Sequence, residues 1–207
     1  MTSIEDKERS RLFNQDTILH QEADLILEKS GIGTILLKHD YHPVGSFVMK
    51  TMTWRDIDFE RYDDEPDCDE HWELGKEIAQ LEWVSTLHCN NAYRNPESSN
   101  ESGYYWGIKV AEPESGTIWR IDLWTARREE FERASPNRSV WYQHLNDDTR
   151  FYILSIKDRL RDLPEMRRTY LSSHVYEAVL VNGVKNFSDF KAWWEKTFGK
   201  FEDAVPD

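Results

Sequence analysis

The chain has 207 residues, of which 39% are hydrophobic and 13% aromatic, so it can form one large domain or two small ones and is not an intrinsically disordered chain. It holds no apolar run near the roughly 18 residues that a membrane-spanning helix needs. The formal net charge is −13, and the whole excess lies in residues 1–137, because residues 138–207 carry 11 basic and 11 acidic side chains. Such an acidic surface repels a polynucleotide backbone and disfavours a nucleic-acid substrate.

The N-terminal part of the chain predicts helix followed by a short strand. The first eight residues are charged and include no apolar segment, so we predict no signal peptide. Apolar residues at helical spacing over 12–30, ending at Gly31, predict an amphipathic helix, and a helical turn follows at 35–37. Residues 41–44 predict a strand at an edge or starting position, because Pro43 lacks a backbone donor.

The middle of the chain predicts strands and helices in alternation. Residues 56–61 alternate acidic and apolar side chains, which is typical of a strand with one buried face. The elements predicted after it are an acidic loop over 62–69, a helix over 70–87, a polar loop over 90–102, strands over 104–110 and 117–124 joined by a Pro/Gly turn, and a short helix over 127–133. Cys68 and Cys89 fit no metal-binding or redox spacing; we interpret them as reduced thiols of a cytoplasmic protein, with a disulfide pair as the alternative.

The C-terminal part predicts helices alone. Ser135-Pro136-Asn137 is the best candidate for a domain boundary, because the charge balance also changes there. We therefore predict a core domain over 1–136 and a helical domain over 137–207. The predicted helices cover 139–163, 165–182 and 187–198, with Pro164 ending or kinking the first of them.

Asp56 and Asp58 are the first candidate functional residues. Residues two apart on a strand point to the same side, so these carboxylates lie side by side while Ile57 and Phe59 face the core. Two adjacent negative charges cost free energy unless something neutralises them. Mg²⁺, which prefers carboxylates together with phosphate oxygens, is suited to this task.

Gly45-Ser46 and Asp122 extend this candidate site. Glycine lets a backbone approach phosphate closely, and backbone N–H groups with a serine hydroxyl can hold phosphate oxygens at the end of a strand. Asp122 lies between apolar residues on the strand predicted over 117–124. From a neighbouring strand about 4.8 Å away it can reach the same metal or take a proton from an attacking hydroxyl.

These motifs resemble the signature of the DNA-polymerase-β-like nucleotidyltransferase superfamily. That signature is a hydrophobic residue, Gly and Gly or Ser, then about 9–13 residues, then Asp-hydrophobic-Asp/Glu-hydrophobic, with a later acid on a strand. The sequence matches it at Val44-Gly45-Ser46, Asp56-Ile57-Asp58-Phe59 and Asp122. Members that resemble this chain include small adenylyltransferases of the lincosamide and aminoglycoside type, although Arg55 replaces the small polar residue that many members carry before the first Asp.

The resemblance implies a fold, a site and cofactors. The fold would be α+β, a short mixed β-sheet backed by helices, with the C-terminal helices closing over a cleft. Gly45 and Ser46 would hold the nucleoside triphosphate, Asp56 and Asp58 would bind metal, and Asp122 would bind metal or act as a base. The cofactors would be two Mg²⁺ ions, with Mn²⁺ as a substitute, and an NTP donor such as ATP.

Lys157 is a further candidate for binding the nucleotide. It lies at the margin of the apolar face of a predicted helix, from which a basic side chain can reach triphosphate oxygens in a cleft. The alternative is an ordinary surface ion pair, and the sequence favours neither.

The leading hypothesis is an enzyme that transfers a nucleoside monophosphate, AMP by resemblance, from an NTP to a hydroxyl of a small molecule and releases pyrophosphate. An RNA or protein acceptor, as in toxin–antitoxin modules, is the first alternative, and the acidic charge argues against RNA. A non-catalytic nucleotide sensor on the same fold is the second. The sequence leaves the acceptor, the preferred base and the oligomeric state, including a homodimer, open.

Overall fold

A computed structural model describes residues 3–95, 102–163 and 169–202 of the chain. Its strands are β1 (His42–Val44), β2 (Asp56–Tyr62), β3 (Val84–Asn91), β4 (Tyr104–Ala111) and β5 (Ile118–Ala126). They form one sheet in the order β1-β2-β5-β4-β3. The pairing of β2 with β5 is parallel and the other three pairings are antiparallel. The predicted α+β class with a short mixed sheet is confirmed, and β1 with Pro43 lies at an edge as expected.

The described residues also form helices, which lie before, between and after these strands in the sequence. Their bounds are α1 (Ile4–Lys29), α2 (Ile32–Lys38), α3 (Gly45–Met49), α4 (Cys68–Ala79), α5 (Arg128–Ala134), α6 (Arg138–His144), α7 (Asp147–Leu160), α8 (Ser172–Tyr176) and α9 (Phe187–Phe198), with a π-helical turn over Glu177–Val181 directly after α8. None of them is long and apolar enough to cross a membrane.

The chain divides into two compact units. The sheet unit comprises Leu19–Val48 and Arg55–Pro136, and the helical unit comprises Met1–Ile18, Met49–Trp54 and Asn137–Asp207. This grouping differs from the predicted domains because it assigns the first turns of α1 and a short segment before β2 to the helical unit. Independent domains over 1–136 and 137–207 stay a prediction.

The core of the sheet unit lies on one face of the sheet. β4 and β5 alternate buried and more accessible residues, and the fully buried side chains include Ile108, Trp119 and Ile121. Helix α4 approaches this face closely at Gly75, where a β-carbon would clash with the Trp106 ring. The opposite face of the sheet carries polar side chains and positions the candidate site.

The helical unit has its own apolar core. It is built from residues of α6, α7, α8, the π-helical turn and α9, whose buried side chains include Ile153, Ile156, Leu160, Val175 and Phe190. The buried side chains of α7, which include Ile153, Ile156 and Leu160, recur at helical spacing and form one face.

The structure corrects two predicted helices. The helix predicted over 70–87 ends at Ala79, and its last residues belong to β3, which pairs with β4. Val84 and Thr86 have the β-branched side chains that strands favour, and the pairing with β4 makes this segment a strand. The helix predicted over 139–163 is two helices, because Leu145 is extended and the Asn146 side chain accepts hydrogen bonds from the first turn of α7.

The helix predicted over 165–182 is described only in part. Residues 164–168, which include Pro164, lie outside the described residues. After them a regular helix covers only Ser172–Tyr176, and the remainder is the π-helical turn. The polar loop predicted over 90–102 begins after β3, and its residues 96–101 also lie outside the described part of the chain.

Candidate metal centre

Strand β2 presents two carboxylates on the polar face of the sheet. Along β2, Ile57 is fully buried and Phe59 is 5% exposed, whereas Asp56 and Asp58 are half-buried on the other side. The alternation follows from the two-residue period of a strand. The orientation expected from the sequence is thus the orientation that the strand adopts.

Asp122 joins these carboxylates from β5. It is the direct partner of Asp58 in the parallel register between β2 and β5. Each of the three aspartates offers one oxygen atom, and these three atoms lie within 4.8 Å of one another. Among the described residues this is the one group of three or more acidic, histidine or cysteine side chains with such a spacing.

The donor set fits a divalent cation. Three half-buried carboxylates at this distance repel one another, and a hard cation that prefers oxygen ligands removes that repulsion. Asp56, Asp58 and Asp122 are the residues that would hold it. Their roles in metal binding and catalysis stay predictions, whereas their convergence is a property of the structure.

Gly45 lies directly against this group. It begins α3 after β1, and its φ of +61° lies in the left-handed region that favours glycine. A β-carbon at position 45 would lie 3.0 Å from Asp58 Oδ2. Ser46 follows in the first turn of α3 and is 8% exposed. The glycine–serine motif and the Asp-x-Asp motif are therefore neighbours in space, as their resemblance to a nucleotidyltransferase signature implies.

Two residues of β4 complete the site and were missed from the sequence. Gly107 is the direct partner of Asp122, and the Tyr105 hydroxyl donates a hydrogen bond of 2.8 Å to Asp122 Oδ1. Burial and then the charge of Asp122 raise the pKa of Tyr105, which keeps the hydroxyl protonated. An isolated glycine inside a strand pattern, Tyr-Trp-Gly-Ile, was the signal for a close approach at this position.

The polar face of the sheet continues beyond the aspartates. Arg120 lies two residues before Asp122 on β5, and the direct partner of Arg120 is Lys109 on β4. Trp124 lies two residues after Asp122, and its direct partner is Tyr105. The face therefore carries cationic and aromatic side chains beside the acidic group.

Lys157 belongs to the helical unit and has contacts of its own there. Its side chain is fully buried, and its ammonium group donates a hydrogen bond of 2.8 Å to the Thr51 carbonyl oxygen. The same nitrogen lies 4.5 Å from the Trp54 ring centroid. The surface ion pair considered from the sequence is wrong for this buried side chain, and phosphate binding by Lys157 stays a prediction.

Comparison with known proteins gives a structural likeness only. No protein-family profile matches the chain, and no curated protein matches it. A chain in a solved structure of the non canonical Poly(A) polymerase complex GLD-2 - GLD-3 is similar, with a TM-score of 0.47 and 12% sequence identity. The match covers 94% of this chain and 66% of that chain, so this chain spans just under two thirds of its length.

Proposed function

We propose that the protein is a metal-dependent nucleotidyltransferase with a polymerase-β-like site. The observation that carries the proposal is the convergence of Asp56, Asp58 and Asp122, whose ligand atoms lie within 4.8 Å of one another on adjacent parallel strands. The position of Gly45 against Asp58 supports it, because a motif suited to phosphate lies beside the residues suited to metal.

Each residue has a proposed role in transfer. The acceptor hydroxyl oxygen attacks the α-phosphorus of the NTP, the bond from that phosphorus to the bridging oxygen breaks, and pyrophosphate leaves. Asp122 accepts the hydroxyl proton, and the backbone of Gly45 with the Ser46 hydroxyl holds phosphate oxygens. Mg²⁺, or Mn²⁺ in its place, bound to the three aspartates would offset the negative charge of the phosphates and of the transition state.

Lys157 enters the proposal as a second phosphate contact. A lysine ammonium suits a triphosphate oxygen by its positive charge and its N–H donors, and the proposal assigns this contact to Lys157. The resemblance to antibiotic adenylyltransferases favours ATP as the donor, so AMP is the group proposed to move.

The proposed acceptor is a small hydroxylated molecule. The net charge of −13 supports this choice, because a polyanionic acceptor would be repelled at long range. A cationic acceptor such as an aminoglycoside is attracted by the same field.

A nucleic-acid end is the second candidate acceptor, and one observation favours it. Arg120 and Lys109 are cross-strand partners on the face that carries Asp122, and Tyr105 and Trp124 lie on the same face. Cationic and aromatic side chains on one surface bind single-stranded nucleic acid by charge and by base stacking. Replacing Arg120 and Lys109 with Gln would abolish transfer to an oligonucleotide but spare transfer to a neutral small acceptor.

Pyrophosphate release tests the proposal. The assay combines the full chain, each of the four NTPs, Mg²⁺ and a panel of hydroxylated small molecules, oligonucleotides and proteins. Asp56→Asn with Asp58→Asn should abolish release, whereas Glu60→Gln, which removes another acid of β2 outside the triad, should not. Turnover that survives the double change would contradict the proposal. Nucleotide binding without turnover on any acceptor would support the sensor alternative.

A further inference from the structure

Asp122 is held by a tyrosine from the neighbouring strand. The Tyr105 hydroxyl donates to Asp122 Oδ1 at 2.8 Å. The direct partner of Asp122 on β4 is Gly107, and the direct partner of Tyr105 on β5 is Trp124. The tyrosine side chain therefore leans along β4 by two residues, over position 107, to reach the carboxylate.

Gly107 makes this path available. Residues 105 and 107 point to the same face of the strand, so the tyrosine ring crosses the space that a side chain at 107 would fill. A β-carbon there would lie 2.5 Å from the Tyr105 hydroxyl oxygen and 3.0 Å from the ring carbon that carries it. Glycine inside a strand weakens the strand, so the observed glycine is best explained by the ring that it admits.

Aromatic neighbours hold the ring in place. The Trp124 and Tyr105 ring centroids lie 4.9 Å apart with an interplanar angle of 39°. His88 on β3 contacts the same ring with its edge at 6.3 Å between centroids. The hydroxyl is thereby directed at Asp122 by packing as well as by its hydrogen bond.

We propose that Tyr105 is a positioning residue, which fixes the orientation in which Asp122 meets the divalent cation. The inference rests on the proposed function, because it concerns the metal ligand that this function requires. In this role Tyr105 acts through Asp122.

The physical basis is the freedom of an aspartate side chain. Without the Tyr105 hydrogen bond, the carboxylate turns more readily about its terminal torsion and leans away from the like charges of Asp56 and Asp58. A hydrogen bond to one oxygen holds it in a single orientation. Loss of such an outer contact to a ligating group typically weakens metal binding about 10–100-fold.

Direct metal titration tests this role. The free Mn²⁺ signal in electron paramagnetic resonance is followed as Mn²⁺ is added to the full chain without nucleotide. We expect Tyr105→Phe to raise the Mn²⁺ dissociation constant about 10-fold or more. Tyr93→Phe is the matched control, because the Tyr93 hydroxyl also donates a 2.8 Å hydrogen bond to a carboxylate, that of Glu130 outside the triad. This control should bind Mn²⁺ as the wild type does.

Gly107→Ala provides an independent way to break the contact. It keeps the hydroxyl but displaces it from Asp122. It should therefore weaken Mn²⁺ binding as Tyr105→Phe does, and the two changes together should be no worse than one. Melting temperatures in EDTA report any loss of folding separately.

The outcomes separate this inference from the proposed function. If the wild type binds no Mn²⁺, or if Asp122→Asn binds as tightly as the wild type, the proposed metal centre fails. If Asp122→Asn weakens binding but Tyr105→Phe does not, the positioning role is overturned. If Tyr105→Phe also lowers the melting temperature in EDTA, the same change is made in the Asp122→Asn variant. A loss of Mn²⁺ affinity that Tyr105→Phe still causes there reflects misfolding and overturns the inference. A loss that disappears there supports the inference.

Discussion

Gly45, at the junction of β1 with α3, lies beside the Asp58 carboxylate of β2. The space beside the Gly45 α-carbon is so narrow that a β-carbon would lie 3.0 Å from Asp58 Oδ2. The backbone of Gly45 is also left-handed, with φ at +61°. Position 45 therefore favours glycine over other residues for two reasons, its backbone conformation and the lack of space beside Asp58. The second reason concerns the candidate metal centre.

Gly45→Ala should reduce both stability and metal binding. The left-handed backbone costs about 1 kcal/mol for a residue with a β-carbon, and the contact with Asp58 adds to that cost and shifts the carboxylate. Gly116→Ala is the control, since Gly116 has φ of +69° but no heavy atom within 4 Å of the point that a β-carbon would occupy. Urea unfolding should show that Gly116→Ala lowers the free energy of unfolding by about 1 kcal/mol. Mn²⁺ titration should show weaker binding for Gly45→Ala but not for Gly116→Ala.

Divalent metal should stabilise the folded chain. A cation that binds the three aspartates in the folded state but not in the unfolded state adds about 1.4 kcal/mol for each tenfold excess over its dissociation constant. Thermal unfolding in increasing Mg²⁺ should therefore show a rising melting temperature relative to EDTA. Asp58→Asn should abolish the dependence on Mg²⁺. An equal rise in this variant would mean that the cation binds elsewhere.

Lys157→Met should destabilise the helical unit. The change leaves the Thr51 carbonyl oxygen without the 2.8 Å bond from the ammonium group, which costs about 1–3 kcal/mol for a buried acceptor. Lys38→Met removes an exposed ion pair with Glu77 instead and should cost about 0–1 kcal/mol. Urea unfolding measures both.

The same pair of variants separates the two roles of Lys157. If its ammonium also binds a phosphate oxygen, Lys157→Met should raise KM for the NTP, and Lys38→Met should not. A KM equal to that of the wild type in a folded Lys157→Met protein would restrict this lysine to its structural contact with Thr51.

His71 should make stability depend on pH. Its ring is stacked between Tyr104 and Trp106, and burial, with a smaller effect of Arg61, lowers the pKa of His71 to about 4. The unfolded chain binds its proton near pH 6.5, so it holds more protons than the folded chain between pH 6.5 and 4. The contribution of neutral His71 to the free energy of unfolding is therefore fully present above pH 6.5, and it is lost as the pH is lowered through this window.

His71→Phe should flatten that part of the profile while keeping an aromatic ring in the stack. The difference in slope between wild type and variant should be at most about 1.4 kcal/mol per pH unit, the value for one proton. Urea unfolding at several pH values from 4 to 7 measures it. Parallel profiles for the two proteins would show that His71 does not titrate as its burial predicts.

The sequence alone determined the local features of the site. Asp56 and Asp58 share a face because a strand has a period of two, and this needs no knowledge of its neighbours. Ile57 and Phe59 turn to the core for the same reason. Gly45 could also be recognised, because a glycine followed by a serine at the end of a strand lets the backbone approach a phosphate closely.

Only the tertiary structure decided which strands and side chains meet. The direct pairing of Asp58 with Asp122 depends on strand order and register, which arise from contacts between residues more than sixty positions apart in the chain. Pairing of β3 with β4 likewise made residues 84–87 part of a strand where local periodicity predicted helix. Pairing of β4 with β5 brought Tyr105 to Asp122, and packing within the helical unit buried Lys157 against Thr51. These are properties of packing, and local patterns do not encode them.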